Sequence, residues 1–341
     1  MGGMTGKVTI GDVAKQVGVS KTTVSRYLNG KYEFMSAESQ KRIQAVIEEL
    51  NYRPNNLARS LRLNKSRLIG VIMADIGSPI SSILVKGISD QCKSFGYQVL
   101  IANTDNDPQK EQEYILSMID QRVEGLIVHT TGECSDFLLD IAQNHVPVVL
   151  ADRPTFPTAL DTVKTNDQRS TAEVIRYLAG EGFRRIAFFT ETIGKVGTRI
   201  LRNRAYQQTC QELCIRPQTY QIDTNDAASV EKMVGEFAGS GAGEAKAIFA
   251  GNGVVMLNIL SAVDKLKLRI PRDLGICGFD DWPWAALIGP GITAIAQPSY
   301  AVGTECVNRL IYRLERNRTA KPKVIELASR LVVRGSTTIG Q

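Results

Sequence analysis

The sequence has few of the side chains that most often bind metals or form disulfides. Its 341 residues include two histidines and six cysteines. The cysteines are scattered along the chain, and no Cys-x-x-Cys pair occurs. Structural zinc sites and disulfide frameworks both require clustered ligands or paired cysteines. We therefore expect no metal, no disulfide framework and no bound cofactor.

Long hydrophobic runs are also missing. No stretch of about 18 apolar residues occurs, which is the length that a membrane-spanning helix needs. Residues 1–6 show neither the basic segment nor the apolar segment of a secretory signal peptide. We therefore expect a cytoplasmic protein with no membrane partner.

Positive charge is concentrated at one end of the chain. The formal net charge is +6, but residues 1–67 alone carry twelve Lys and Arg against five Asp and Glu, a net of +7. The other 274 residues carry 29 basic and 30 acidic side chains, a net of −1. This asymmetry favours nucleic acid as the partner of the basic segment. A solvated basic surface is the alternative.

The basic segment shows three amphipathic helical patterns, over Ile10–Val17, Lys21–Leu28 and residues 36–50. In the first, apolar residues recur at i, i+3, i+4 and i+7. Thr9, Ser20 and Ser36 are suitable N-caps for the three helices. Two short helices joined by a glycine-containing turn predict a helix-turn-helix.

The second of these helices is predicted to read DNA. A helix fits the major groove, where its first residues meet base edges, so we expect Lys21, Thr22 and Arg26 to contact bases. Short polar side chains around this helix suit phosphate contacts; they are Thr9, Ser20, Thr23, Ser25 and Asn29. The alternative is that this helix pair is only a scaffold.

Residues 54–67 are predicted to form a hinge. Pro54 stops the third helix, and the arginine-bearing segment after it is too short to be helical by itself in water. We expect it to order when two copies meet on DNA, with Leu61 inserted at a base step. Arg59 and Arg62 would then lie beside it in the minor groove. A plain linker is the alternative.

The motifs around these residues resemble the LacI/GalR family of bacterial repressors. They are Asp12-Val13-Ala14, Gly18-Val19-Ser20, Thr23-Val24-Ser25-Arg26 and Leu28-Asn29, followed by Tyr52-x-Pro54-Asn55-x-x-Ala58-Arg59. The resemblance implies the same groove assignments and adds Asn55 and Ala58 to the DNA-binding residues. It also implies that Leu61 is the leucine intercalated at the centre of the operator.

From residue 68 onward, short apolar runs alternate with helical patterns. This alternation favours βαβ units and parallel sheets, and its length favours two doubly wound subdomains. The predicted strands are Leu68–Ala74, Gln98–Asn103, Gly125–His129, Val146–Ala151, Thr162–Thr165, Arg185–Thr190, Ala247–Ala250 and Gly275–Gly278.

The predicted fold class is an all-α helix-turn-helix headpiece followed by an α/β region of two doubly wound parallel sheets. The headpiece is assigned to residues 1–53 and the hinge to residues 54–67. One subdomain is assigned to about residues 68–161 plus 292–327, and the other to about residues 162–291 plus 328–341. The resemblance implies an arrangement like that of the periplasmic sugar-binding proteins.

A ligand cleft is expected between the subdomains, because ligands of such sheets bind beyond the carboxyl ends of the strands. Polar residues follow many of the predicted strands, which suits a polyhydroxyl or anionic small molecule. Arg153 is one such strand-end residue. The resemblance to sugar-binding family members implies the other effector-binding residues: Ile80, Ser81, His129, Asp152, Arg202, Asn252, Asp280 and Gln297.

One departure from the family bears on the ligand. Family members usually have Asn-Asp where this chain has Asn252-Gly253, so one carboxylate for sugar hydroxyls is missing. Because Arg153, Arg202 and His129 remain, we expect a ligand that bears a carboxylate or phosphate. The run Gly278-Phe279-Asp280-Asp281-Trp282 resembles repressors of sugar-acid catabolism, including the 2-keto-3-deoxygluconate operon repressors.

The function predicted is a sequence-specific transcriptional repressor of a carbohydrate-catabolism operon. It is expected to bind a palindromic double-stranded operator as a homodimer, with the helix Ile80–Phe95 as a candidate interface element. A sugar, sugar acid or sugar phosphate in the cleft is expected to change its DNA affinity. Whether this effector releases or recruits DNA stays open.

Two other functions fit parts of the sequence. A dehydrogenase-type enzyme shares the doubly wound fold, but Gly251-Asn252-Gly253 lacks the third glycine of the dinucleotide fingerprint and no Walker motif occurs. Adjacent Asp280 and Asp281 are expected to diverge, so no catalytic residues are assigned. A sugar-binding protein without a DNA role leaves the basic segment unexplained.

Overall fold

The computed structural model describes residues 8–52, 65–241, 243–316 and 321–339. The chain divides into two compact units, residues 1–66 and 67–341. The described part of the first unit is helical, and the second unit contains both helices and strands.

The first unit contains three described α-helices whose caps explain where they begin. They are α1 (Ile10–Val17), α2 (Lys21–Leu28) and α3 (Ala37–Glu49), with a short 3₁₀ helix at Tyr32–Phe34. The hydroxyls of Thr9, Ser20 and Ser36 each accept a hydrogen bond from a backbone N–H in the first turn of the next helix. These caps confirm the predicted helix starts. The core residues are Val13, Ala14, Val17, Val24, Ile43 and Tyr52.

The second unit contains two six-stranded sheets in its described part. The strands are β1 (Leu68–Met73), β2 (Gln98–Asn103), β3 (Gly125–His129), β4 (Val148–Ala151), β5 (Asp161–Thr165), β6 (Arg185–Glu191), β7 (Gln218–Ile222), β8 (Lys246–Ala250), β9 (Gly275–Phe279), β10 (Thr293–Ala296), β11 (Val324–Leu327) and β12 (Arg330–Val332). The first sheet has the order β11-β5-β4-β3-β1-β2, and the second has the order β12-β10-β9-β8-β6-β7. The pairing of β10 with β12 is antiparallel, and the other pairings are parallel.

Helices cover both faces of both sheets. Among the described residues they are α4 (Pro79–Ser94), α5 (Pro108–Asp120), α6 (Ser135–Asn144), α7 (Asp167–Gly180), α8 (Gly197–Glu212), α9 (Ala227–Gly239), α10 (Gly253–Lys265) and α11 (Ser299–Glu315), with 3₁₀ helices at Pro283–Ala286 and Gly335–Thr337. On the first sheet, α4 and α11 pack on one face, and α5 and α6 pack on the other. On the second sheet, α9 and α10 pack opposite α7 and α8. The predicted fold class, two doubly wound subdomains after a helical headpiece, is confirmed.

The strand pairings correct the predicted subdomain boundaries. β5 pairs with β4 and β11 in the first sheet, and β10 pairs with β9 in the second. The chain therefore crosses between the sheets after residues 165, 296 and 327, whereas the sequence predicted the first two crossings after 161 and 291. The partner of a strand is chosen by hydrogen bonds to residues distant in sequence, which a local apolar pattern does not specify.

Each of the eight predicted strands overlaps an observed strand, but the sequence patterns do not predict β7, β10, β11 and β12. Three of these, β7, β11 and β12, are short edge strands of three to five residues whose side chains are mostly partly or fully exposed. These three strands lack the long continuous apolar run of a strand buried on both faces, which is the signal that predicted the central strands.

Candidate functional site

A cavity of about 540 Å³ lies between the two sheets of the second unit, at the carboxyl ends of their strands. Its volume is within the range of small-molecule sites. Residues of both subdomains line it. The nine predicted effector residues are all brought together here: Ile80, Ser81, His129, Asp152, Arg153, Arg202, Asn252, Asp280 and Gln297.

Arg202 of α8 is held rigidly at this cavity. Its Nε donates to Asp167 Oδ1 at 2.7 Å, its Nη1 to the Gly251 carbonyl at 2.7 Å, and its Nη2 to Gln297 Oε1 at 3.2 Å. The guanidinium also lies 3.6 Å from the centroid of the Phe279 ring. Burial opposes the charge, but the surrounding carboxylates, with Asp167 first, raise the pKa of Arg202 above its ordinary value.

Asp280 and Gln297 form a second hydrogen-bonded group. Asp280 Oδ2 accepts from the backbone N–H of Gly253 at 2.8 Å, and Asp280 Oδ1 accepts from the Gln297 amide. Gln297 also accepts from the Thr165 hydroxyl at 2.9 Å. Burial raises the pKa of Asp280. Its backbone is left-handed, with φ of 77°, a strained conformation that clusters at functional sites.

Asn252 links the start of α10 to the end of the neighbouring strand β6. Its Oδ1 accepts from the Val255 N–H at 2.9 Å, and its Nδ2 donates to Glu191 Oε2 at 2.6 Å. Glu191 also pairs with Arg199 at 2.7 Å. Glu191 and Arg199 line the cavity but are not among the predicted effector residues. Arg199 precedes the predicted effector residue Arg202 by one helical turn. This spacing is the sequence signal that could have placed Arg199 at the cavity.

His129 and Asp152 lie at adjacent strand ends of the first sheet. His129 Nε2 is 3.7 Å from Asp152 Oδ2, which is longer than a hydrogen bond. Burial, with the nearby Arg153 charge, lowers the pKa of His129 to about 4, so the imidazole is neutral at pH 7. Burial alone would raise the pKa of Asp152, but its proximity to His129 and to Arg202 brings that pKa below its ordinary value.

Arg153 differs from the other two cavity arginines in its partners. Its Nη1 donates to Asn106 Oδ1 at 3.1 Å and to the Thr130 carbonyl at 3.0 Å. Arg199 and Arg202 each pair with a carboxylate, whereas Arg153 has no ion pair with any residue that the structure describes. Burial, with the charge of Arg199, lowers the pKa of Arg153 to about 10, so this side chain is still a cation at pH 7.

These contacts reduce the number of side chains that can attract an anionic ligand. Arg202 is neutralised by Asp167, and His129 is uncharged, so Arg153 is the member of the predicted trio that still offers positive charge. The cavity is also rich in carboxylates, which accept hydrogen bonds from hydroxyl groups. The acidic lining residues are Asp75, Asp105, Asp152, Glu191, Asp223 and Asp280.

In the first unit, the residues predicted to contact bases lie on the outer face of α2. Lys21, Thr22 and Arg26 are exposed, and Val24 on the opposite face is fully buried in the headpiece core. This arrangement leaves the start of α2 accessible to a base edge.

The polar side chains predicted to contact phosphates are engaged in local hydrogen bonds. The Ser20 hydroxyl accepts from the Thr23 N–H at 3.1 Å, the Asn29 amide donates to the Ser25 carbonyl at 2.7 Å, and the Thr9 hydroxyl takes part in the N-cap of α1. Hydroxyl and amide groups have capacity for a further hydrogen bond, so these contacts are compatible with phosphate binding.

The predicted hinge residues are Asn55, Ala58, Arg59, Leu61 and Arg62. They lie outside the residues that the structure describes, and their roles stay predictions.

Comparison with known proteins agrees with the helix-turn-helix assigned to the first unit and with the periplasmic-binding-protein-like fold assigned to the second. Residues 9–55 match the family described as bacterial regulatory proteins, lacI family, and residues 175–337 match the periplasmic binding protein-like domain. The chain is 41% identical over 334 residues to the HTH-type transcriptional regulator KdgR of Bacillus subtilis (strain 168), covering 97% of this chain and 98% of that protein. It is 30% identical to the ribose operon repressor of Escherichia coli (strain K12), covering 96% of this chain and 99% of that protein.

The fold is shared with a solved repressor. The crystal structure of the lac repressor dimer bound to operator and the anti-inducer ONPF matches with a TM-score of 0.84 and 23% sequence identity. The match covers 97% of this chain and 99% of that chain.

The relatives named above are transcriptional regulators rather than enzymes. Of the helices that the structure describes, none is long and apolar enough to cross a membrane. The chain belongs to the LacI family of bacterial regulatory proteins, and it is a DNA-binding transcriptional repressor of the sugar-operon type.

Proposed function

We propose that this chain is a homodimeric repressor of a carbohydrate-catabolism operon, and that a sugar acid in the cavity controls its affinity for a palindromic operator. In this proposal it acts in the cytoplasm. The observation that carries the ligand class is Arg153, a cavity cation without an ion pair among the described residues. The carboxylates around it are acceptors for hydroxyl groups.

A sugar acid combines the two kinds of group that this cavity can bind. Its hydroxyls can donate to carboxylates such as Asp152 and Asp280. Its carboxylate can accept charge-assisted hydrogen bonds from Arg153, whose Nη1 is already used by Asn106 and Thr130. A phosphate carries about two negative charges near neutral pH, which the acidic lining opposes, so we favour a carboxylate over a phosphate.

The first subdomain offers a candidate dimer surface. Ile83 on α4 and Ile101 on the edge strand β2 are 45% and 41% exposed, while Leu84 and Ile88 of the same helix are buried. Core packing therefore accounts for only one face of α4. Exposed apolar side chains close to a sheet edge favour contact with another protein surface. The lac repressor, which shares this fold, is a dimer on its operator.

A thermal-shift screen of matched ligands tests the ligand class. The pairs are D-glucose with D-gluconate and D-galactose with D-galacturonate, with 2-keto-3-deoxygluconate and glucose 6-phosphate added. We expect the acids to stabilise the protein, by about 2.7 kcal/mol at a hundred times Kd. Stabilisation by the neutral sugars alone would contradict a role for the ligand carboxylate.

DNA binding is tested separately with a palindromic site and a random duplex of equal length. We expect tighter binding to the palindrome, a dimer in the complex, and a steep loss of affinity with salt because each dimer contacts about 6–10 phosphates. Equal affinity for the two duplexes would contradict sequence-specific repression.

A further inference from the structure

Asp167 is a fully buried carboxylate that contacts the cavity only through another side chain. It is the first residue of α7, two residues after the end of β5, and it is not part of the cavity lining. Its Oδ1 accepts from Arg202 Nε at 2.7 Å. Its Oδ2 has no hydrogen-bond partner among the described residues. Burying a carboxylate destabilises a folded protein unless its charge is paired. The contact with Arg202 supplies that pair.

The Arg202 side chain donates hydrogen bonds to residues in two of the three segments that cross between the subdomains. Asp167 lies just after the first crossing, and Gln297 lies at the second, directly after β10. The Gln297 oxygen that accepts from Arg202 Nη2 also accepts from Thr165, the last residue of β5. The guanidinium therefore connects two of the three segments that must adjust their backbone angles when the subdomains move.

The same contacts leave the guanidinium ready for a ligand. Arginine has five N–H donors, and three of them are used by Asp167, Gly251 and Gln297. Its face is covered by the Phe279 ring. Two N–H groups remain for a molecule in the cavity, and their direction is set by the three bonds already made.

We propose that Asp167 is a positioning residue that fixes the guanidinium of Arg202 for the effector and ties it to the crossing segments. The proposal rests on the proposed function, because it takes the cavity as the effector site. Asp167 does not line the cavity, so its effect on the ligand passes through Arg202. Replacing the Asp167 carboxylate with a neutral amide removes the charge that pairs with Arg202 and leaves a buried cation without its counter-ion.

A double-mutant cycle on ligand affinity tests this role. Asp167→Asn, Arg202→Lys and the double variant are titrated calorimetrically with D-gluconate, D-galacturonate and 2-keto-3-deoxygluconate. We expect Asp167→Asn to raise Kd at least tenfold in the wild-type background and less than twofold in the Arg202→Lys background. An equal loss in both backgrounds, or no loss in the single variant, overturns the proposal.

Asp161→Asn is the matched control. Asp161 is equally buried and pairs with Arg309 and Arg313, but it lies at the amino end of β5, away from the cavity. We expect this variant to be destabilised and its Kd for the sugar acid to stay unchanged. A loss of affinity equal to that of Asp167→Asn would show general destabilisation and would overturn the proposal.

Hydrogen exchange tests the positioning role of Asp167 independently of the proposed ligand class. If wild-type protein binds none of the three acids, the proposed ligand class fails, and ligand-free protein still tests the positioning. We expect Asp167→Asn to speed amide exchange in residues 165–168 and in residues 296, 297 and 299 at least tenfold relative to Asp161→Asn. Unchanged exchange in both segments overturns the role of Asp167.

Discussion

The indole ring of Trp282 lies directly over Gly253. A Cβ placed on that glycine would come 2.6 Å from Cε2 of the ring and still closer to Cζ2. Trp282 is 5% exposed, so the ring is confined by its surroundings. This is the position at which family members usually carry an acidic residue. The indole therefore occupies the space that a side chain at residue 253 would need, whatever the ligand.

We predict that Gly253→Ala destabilises the protein, although alanine is the better helix former. Overpacking of a confined ring costs about 1–3 kcal/mol, against a gain of up to about 1 kcal/mol in helix propensity. Urea unfolding measures the free energy of unfolding. In a Trp282→Leu background the same change should be neutral or stabilising.

Gly239→Ala, at the end of α9, is the control for this prediction. A Cβ on Gly239 meets nothing within 4 Å, so this change should not destabilise the protein. If Gly253→Ala is as stable as the wild type, the indole does not exclude a side chain at residue 253.

The pH dependence of the free energy of unfolding tests the electrostatics of the cavity at His129, which lines it. Burial lowers the pKa of His129 to about 4 from an ordinary value of 6.5. Between these pH values the unfolded chain binds a proton that the folded protein does not. The free energy of unfolding should therefore fall as the pH decreases from 6.5 to 4, by up to about 3 kcal/mol from this group.

We predict that His129→Gln removes this part of the pH dependence. Unfolding is measured in urea at about pH 7 and about pH 5, and the difference between variant and wild type isolates His129 from Asp167 and Asp280, whose raised pKa values act in the opposite direction. His145 is exposed and lies outside the cavity lining, and His145→Gln is the matched control for the loss of an imidazole. The wild-type pH dependence in His129→Gln would mean that the imidazole is not held neutral.

We predict that Arg153→Gln weakens sugar-acid binding by about 10–100-fold, since a hydrogen bond to a charged group contributes about 1.5–3 kcal/mol. Affinity for the matching neutral sugar should change little. Arg199→Gln, which breaks the pair with Glu191 at the same cavity, is the control for a lost arginine. An equal loss for acid and neutral sugar in Arg153→Gln would remove Arg153 as the carboxylate ligand.

On DNA, we predict that Arg26→Ala costs about 1–3 kcal/mol of specific operator binding and relaxes sequence preference at one base pair. Fluorescence anisotropy at fixed salt measures this loss with palindromic and random duplexes. Lys232→Ala makes the same charge change on an exposed residue of the second unit and should have little effect. A loss that is equal on both duplexes would assign Arg26 to phosphates instead of bases.

The hinge prediction rests on the sequence alone. We expect Leu61→Ala to weaken the operator complex more than the random-duplex complex, because unstacking a base step is useful only where the deformed site makes additional contacts. Gel shifts on both duplexes measure the two losses. If the losses are equal, Leu61 does not act as a wedge.

Local patterns predicted those elements whose determining contacts are local. The caps Thr9, Ser20 and Ser36 act within one helical turn, and the central strands carry apolar side chains on both faces. The pairing of β5 with β11 and the edge strand β7 depend on partners distant in sequence, and the local patterns predicted neither.

By itself the sequence determined the helix-turn-helix, the doubly wound class and nine of the residues that line the cavity, eight of them through the family resemblance. Only the tertiary structure decided which charges are available there. Asp167, 35 residues before Arg202, neutralises that arginine, while Arg153 has no ion pair among the described residues and His129 is uncharged. The reason is physical: pairing and loss of hydration depend on neighbours in space, and these neighbours come from different strands and helices.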